Sequence, residues 1–143
     1  MLTDARGVPL SVVVCGANRH DVKSLPDVLD AIVIPRPPAT EEAPQNLCTD
    51  ASYVGETAKS QIEARGYIPH VCPREEEINA KAKNPGYKPR RWVVEACHSW
   101  LNRFRKLLVR YEKTHRSYMA LVMIASAMIA FRKISGKINI IYG

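Results

Sequence analysis

Between Arg90 and Lys113 the chain reads RRWVVEACHSWLNRFRKLLVRYEK, and its apolar residues recur with a helical beat. Val93, Cys97, Trp100, Phe104, Leu107 and Tyr111 follow one another at intervals of three and four. That spacing puts all six on one face of a helix, and a face with large aromatics is expected to pack against a core. The opposite face carries Glu95, Asn102, Lys106 and Arg110. Glu95 is an acid among bases, about one turn inside the helix. It reads either as an ordinary helix-surface acid or as a carboxylate aimed into a site that binds a metal and a polyanion.

This stretch also marks a change in charge. Residues 1–89 hold 10 Lys and Arg against 12 Asp and Glu, whereas residues 90–143 hold 11 against 2. A formal charge of +7 gathered in one part of the sequence suggests a face that meets a polyanion. A solvated basic helix is the plainer alternative. At 143 residues the chain has the size of one domain. Cys15, Cys48, Cys72 and Cys97 form no CxxC pair, so zinc is not expected. They read as small buried hydrophobes in a reducing compartment. The start MLTDARG has no apolar stretch after a basic start, so no signal peptide is expected and the cytoplasm is the expected location.

Taken in order, TDARG (Thr3 to Gly7) reads as a turn and VPLSVVV as a strand ending near Cys15. The strand that a hairpin needs before the turn is almost absent, so the chain reads as though it begins in the middle of a sheet. Asp21 is the expected N-cap of a helix over Val22 to Ile34, with Leu25, Val28, Leu29 and Ile32 on its apolar face. Pro35 to Pro44 is a stiff surface connection. QNLCTDA (Gln45 to Ala51) is expected as a buried strand ending at Asp50. A helix from about Tyr53 to Arg65 follows, capped by Asp50 or Ser52 and closed by Gly66, and then a strand over Tyr67 to Cys72. Strand, helix, strand predicts a βαβ unit with a parallel pair, whose carboxyl ends are where ligands collect. Pro73 to Pro89 is a long polar loop. Tyr118 to Phe131 (YMALVMIASAMIAF) is apolar throughout and is expected as a buried helix, since spanning a bilayer takes roughly 20 residues. A membrane-associated basic protein is the competing reading of that run.

Three blocks resemble, in order, the DDE transposases of bacterial insertion sequences, in the branch called insertion-sequence family five. They are LTDARGVPLSVVVCGANRHD, LCTDASYVGETAKSQIEARGY and the Arg90–Lys113 segment with Arg91-x3-Glu95. The resemblance runs to about residue 133, leaving 134–143 as a tail. It implies an RNase H-like α/β fold lacking its first strand, and metal-dependent cleavage and transfer of DNA strands. It places the second acid at Asp50 and the third at Glu95, as catalytic and metal-binding residues for a two-metal site of Mg²⁺ or Mn²⁺. No residue matches the first acid; Asp4 lies in the first turn and Asp21 opens the first helix. Arg90, Arg91, Arg103, Arg105, Lys106 and Arg110 are the expected DNA contacts, on transposon ends and target. The family pattern has Tyr two positions before Arg, but here Tyr87-x2-Arg90 and Arg91-x3-Glu95 are out of step, and Asn102 stands where the family has Lys. His20 or Asp21 could line the site, and Trp92 could stack on bases. The implied partners are DNA and an upstream transposase half or further copies, without a membrane. The isolated chain is expected to be a truncated, inactive catalytic part; the alternative is a non-enzymatic DNA-binding remnant or an inhibitor of an intact transposase.

Overall fold

The computed structural model describes residues 1–16, 18–71, 82 and 91–134, with Arg91 described by its backbone alone. The chain divides into two compact units, one of Met1–Val14 with Val93–Gly143, the other of Cys15–Trp92.

The first unit opens with β1 (Leu2–Thr3) and β2 (Pro9–Ser11), paired antiparallel with an irregular register. The turn between them is built by Asp4. One oxygen of its carboxylate accepts from the N–H groups of Arg6 and Val8, both at 2.8 Å, and its carbonyl accepts from Gly7. Gly7 closes the turn at φ +80°, against the Trp100 ring, where a Cβ would crowd. TDARG is thus a hairpin turn, and the strand before it is two residues long.

The Arg90–Lys113 segment is not one helix. It forms α3 (Arg91–Leu101) and a single-turn α4 (Arg105–Leu108). Asn102 still donates to the His98 carbonyl, but Arg103 and Phe104 donate only three residues back, to Trp100 and Leu101. The shift to tighter bonds ends the helix at Asn102, a weak helix former. Of the expected apolar face, Val93 and Cys97 are buried and Trp100, Phe104 and Leu107 half-buried; Leu101, outside that face, is buried as well. The face ends after Leu107, and Tyr111 is exposed.

The last helix, α5 (His115–Ile134), starts earlier and ends later than the apolar run, so Ile134 belongs to it. Thr114 caps it, its hydroxyl accepting from the Ser117 N–H at 3.1 Å. Leu101, Ala125 and Ile129 form a buried cluster, with Met1, Trp100, Phe104 and Leu107 packed against it. The expectation that Tyr118 to Phe131 is buried fails for half of this helix. Val122, Ala125, Ser126 and Ile129 are buried, but Ile124, Met128 and Phe131 are exposed. By length and composition alone α5 could also cross a membrane.

The second unit holds α1 (Asp21–Asp30), β3 (Asn46–Thr49), a 3₁₀ turn (Ala51–Tyr53), α2 (Glu56–Glu63) and β4 (Ile68–Val71). β3 and β4 pair in parallel, Asn46 opposite Ile68 and Thr49 opposite Val71, as the βαβ pattern predicts. Among the described residues of this unit, Ile62 and Ala58 of α2, Leu25 and Leu29 of α1, and Leu47 of β3 are the buried apolar ones. Truncating a residue as enclosed as Ile62 to Ala typically costs about 2–5 kcal/mol. Gly66, at φ +74°, ends the turn after α2. Its N–H donates to Glu63 and that of Tyr67 to Ile62, the bond pattern of a Schellman cap.

Several expectations change here. His20, not Asp21, is the residue preceding α1, and its side chain makes no cap bond. The helix stops at Asp30 rather than Ile34, and Pro35 disfavours helical backbone at Ile34, so the apolar run cannot carry the helix to its end. Asp50 caps only the 3₁₀ turn, and α2 starts after Gly55. β3 is buried only at Leu47, and among the described residues its sheet is a pair of strands. Cys48 and Cys15 are exposed, and Cys97 alone among the described cysteines is the buried hydrophobe expected. Burial pushes its thiol up to about 11. Cys72, the loop over Pro73 to Pro89 apart from residue 82, Arg90, and the tail from 135 to 143 lie outside the described residues.

Candidate functional site

Asp50 stands at the carboxyl end of β3, where a parallel pair opens toward a ligand. Its carboxylate is oriented by its own chain, one oxygen accepting from the Ser52 N–H at 2.8 Å. The 3₁₀ turn then carries the backbone around to Tyr53, which is half-buried. α1 packs on this turn and brings its first residue, Asp21, into the same neighbourhood. Burial raises the Tyr53 hydroxyl pKa, and the charges of Asp21 and Asp50, then the Cys15 thiol, raise it further. The second unit thus gathers two carboxylates around a protonated phenol at one strand end.

Of the two residues left open for the first acid, the hairpin turn takes up Asp4, whose carboxylate caps backbone N–H groups. Asp21 is the one whose charge reaches Tyr53, as that of Asp50 does. His20 lies beside it and is exposed. Tyr53 was missed in the sequence, where it reads as the start of a helix; its place three residues after Asp50, inside the second matched block, is the signal that would have found it.

Glu95 is in the other unit, on the exposed side of α3. Arg103, Arg105, Lys106 and Arg110 follow it in sequence and are exposed. The Arg110 guanidinium lies over the Tyr118 ring, 4.9 Å from its centre, which fixes that cation at the start of α5. Arg90 and the side chain of Arg91 lie outside the described residues. Trp92 is 54% exposed, whereas Trp100 is packed, with the Lys133 ammonium 4.0 Å from its ring centre.

Carboxylate oxygens are the donors that Mg²⁺ and Mn²⁺ prefer, and Asp50 with Asp21 offers them. Among the described residues, no three His, Cys, Asp or Glu side chains are grouped to hold a metal ion. The second unit therefore fits such an ion in donor type but not in donor number.

The family model described as a transposase DDE domain matches residues 47–132. A Burkholderia cepacia protein named as a transposase for insertion sequence element IS402 is 31% identical over 137 residues. The match takes in 92% of this chain and 61% of the relative, so the chain spans about three fifths of that protein's length. No solved structure matches.

Proposed function

Since the chain belongs to the transposase DDE domain family, we propose that it forms part of the RNase H-like catalytic domain of an insertion-sequence transposase. In this reading Asp50 is the second and Glu95 the third acid of the catalytic set. Exposed Arg103, Arg105, Lys106 and Arg110 hold DNA phosphates. One observation carries the reading: the matched span includes both acids, and Asp50 lies at the carboxyl end of a parallel strand pair.

In this reading the Asp50 and Glu95 carboxylates each offer the oxygen donors that a Mg²⁺ or Mn²⁺ ion prefers, and such an ion would supply Lewis-acid chemistry to a phosphodiester. The protein's own contribution is position and charge. The Ser52 N–H keeps Asp50 in one orientation, and Tyr53 stays a hydrogen-bond donor at neutral pH because burial and the neighbouring carboxylates disfavour its ionised form. Alone, the chain binds DNA without cleaving it, because only two acids match the motif. A second reading rests on the same count: a non-enzymatic DNA-binding partner or inhibitor of an intact transposase.

The test is to fuse the chain to the part of the Burkholderia relative outside the match and assay a labelled transposon end with Mn²⁺. Cleavage is expected, with Asp50→Ala and Glu95→Ala each lowering it by about 100-fold or more while DNA binding persists. Cleavage indifferent to Asp50→Ala would sink the assignment of that residue. A fusion that binds DNA and never cleaves would favour the second reading.

A further inference from the structure

We propose that Cys48 and His70, with Asn46 holding the imidazole, form a site for a divalent metal ion of the zinc class on the exposed face of the β3–β4 pair. The two strands alternate in step. Asn46 and Cys48 of β3 and Ile68 and His70 of β4 are exposed, whereas Leu47 is buried and Thr49, Pro69 and Val71 are half-buried. Side chains two apart on a strand share a face, so the four exposed residues stand on one side of the sheet. The parallel register sets Cys48 opposite His70. Neighbouring strands lie about 4.8 Å apart, which makes the thiol and the imidazole neighbours across the ladder. No CxxC spacing marks such a pair, because α2 lies between its two halves in sequence.

Asn46 separates this pair from two ordinary surface side chains. The His70 Nε2 lies 2.7 Å from the Asn46 Oδ1. The Asn46 amide nitrogen is used elsewhere, donating to the Pro44 carbonyl at 3.5 Å. An amide oxygen only accepts, so Nε2 carries the ring proton and Nδ1 keeps its lone pair. Metal-ligating histidines are held in this way, with one ring N–H donated to an oxygen and the other nitrogen presented to the ion.

Donor type selects the ion. Thiolate sulfur and imidazole nitrogen suit Zn²⁺ and Co²⁺, while Mg²⁺ and Mn²⁺ take oxygen donors. A tetrahedral zinc ion holds a sulfur and a nitrogen ligand roughly 3.6 Å apart, a separation within reach of facing residues on adjacent strands. Among the described residues no third Cys, His, Asp or Glu joins the group, so water completes the coordination and the affinity lies below that of a four-donor site. The thiol proton passes to solvent on binding. The bound ion ties β3 to β4 two residues before Asp50, through donors other than that carboxylate.

The test titrates the full chain with Co²⁺, whose bond to a thiolate absorbs in the near ultraviolet, and then displaces it with Zn²⁺. One ion per chain and a thiolate band are expected, and Zn²⁺ should raise the thermal midpoint because it binds the folded ladder. Cys48→Ser should remove the band, and His70→Ala and Asn46→Ala should each weaken binding by about tenfold or more. All three positions are exposed, so circular dichroism of the variants should match the parent. Cys15→Ser, at the other exposed cysteine, should change neither band nor affinity. The proposal is overturned if no band appears, if the band survives Cys48→Ser, or if it is lost in Cys15→Ser. Unchanged affinity in His70→Ala leaves only a surface thiol and overturns it too, as does displacement of Co²⁺ by a modest excess of Mg²⁺ or a midpoint indifferent to Zn²⁺. Neither DNA nor cleavage enters these measurements, so they stand apart from the catalytic roles of Asp50 and Glu95.

Discussion

Ser126 sits on the buried side of α5 at 9% exposure, and among the described residues its hydroxyl has no hydrogen-bond partner. A buried hydroxyl without a partner carries a desolvation cost of about 1–3 kcal/mol, and Ala is also the better helix former. Ser126→Ala is therefore expected to raise stability by about 1 kcal/mol, read as a higher midpoint in urea with an unchanged slope. Legibility at this scale followed the type of information each residue carries. The place of Asp50 could be read, because a short apolar run followed by a capping sequence marks a strand end. The reach of the Asp21 charge to Tyr53 could not be read, because it depends on how α1 packs against the 3₁₀ turn, a contact between residues some thirty positions apart. The exposure of Cys15 and Cys48 was hidden for a related reason: an apolar run implies burial only where a second layer covers it, and among the described residues the pair β3–β4 is a sheet of two strands.

Among the elements, the βαβ unit depends on its joints. Gly66 reverses the chain between α2 and β4 with a positive φ, and Gly66→Ala is expected to cost about 1 kcal/mol, seen as a lowered thermal midpoint. The Arg65 guanidinium beside it grips Asp30 at the end of α1, its Nε 2.7 Å from one oxygen and its terminal nitrogen 2.8 Å from the other. That hydrogen-bonded pair holds the Asp30 carboxyl below its ordinary 3.8. The folded value is the depressed one, so this contribution is complete above pH 3.8 and is lost as pH falls through the lower folded value. The pair is largely solvent-exposed, so the effect is small. Asp30→Asn is expected to flatten the acid limb of the stability profile below pH 3.8 and leave neutral pH little changed, measured by urea unfolding across pH. Arg36 adds a second tie, stacked 3.8 Å from the Tyr67 ring centre and donating to Gln45 and to the Arg65 carbonyl. The proline-rich connection is thereby fastened to the strand pair. Element types were legible from periodicity here. The ends were not, because Asn102 stops one helix and Pro35 keeps another from the end of its apolar run, where the apolar spacing alone would carry both onward.

At the scale of the whole chain the charge asymmetry sets the second expectation about DNA. Four exposed cations, Arg103, Arg105, Lys106 and Arg110, follow α3 closely in sequence. If each meets a phosphate, affinity for duplex DNA falls with salt at a log–log slope of roughly −3 to −4. Replacing Arg105 and Lys106 with Gln should reduce that slope by about 2, measured by fluorescence anisotropy at several salt concentrations. Binding indifferent to salt would remove the phosphate contacts. Another whole-chain property lies in the way the first unit is strung. Lys133 donates to the carbonyl of Arg6, so residues 127 positions apart meet inside one unit. That unit is written in two pieces, Met1–Val14 and Val93–Gly143, while the other is a single uninterrupted piece between them. During synthesis the middle piece can complete its contacts as soon as it has left the ribosome. The opening hairpin has to wait for α3, whose Trp100 lies against Gly7, and its unit is complete only with α5. Contacts that span so much chain form slowly. The interval before α5 emerges is therefore when the growing polypeptide is most open to capture by a chaperone or by another chain.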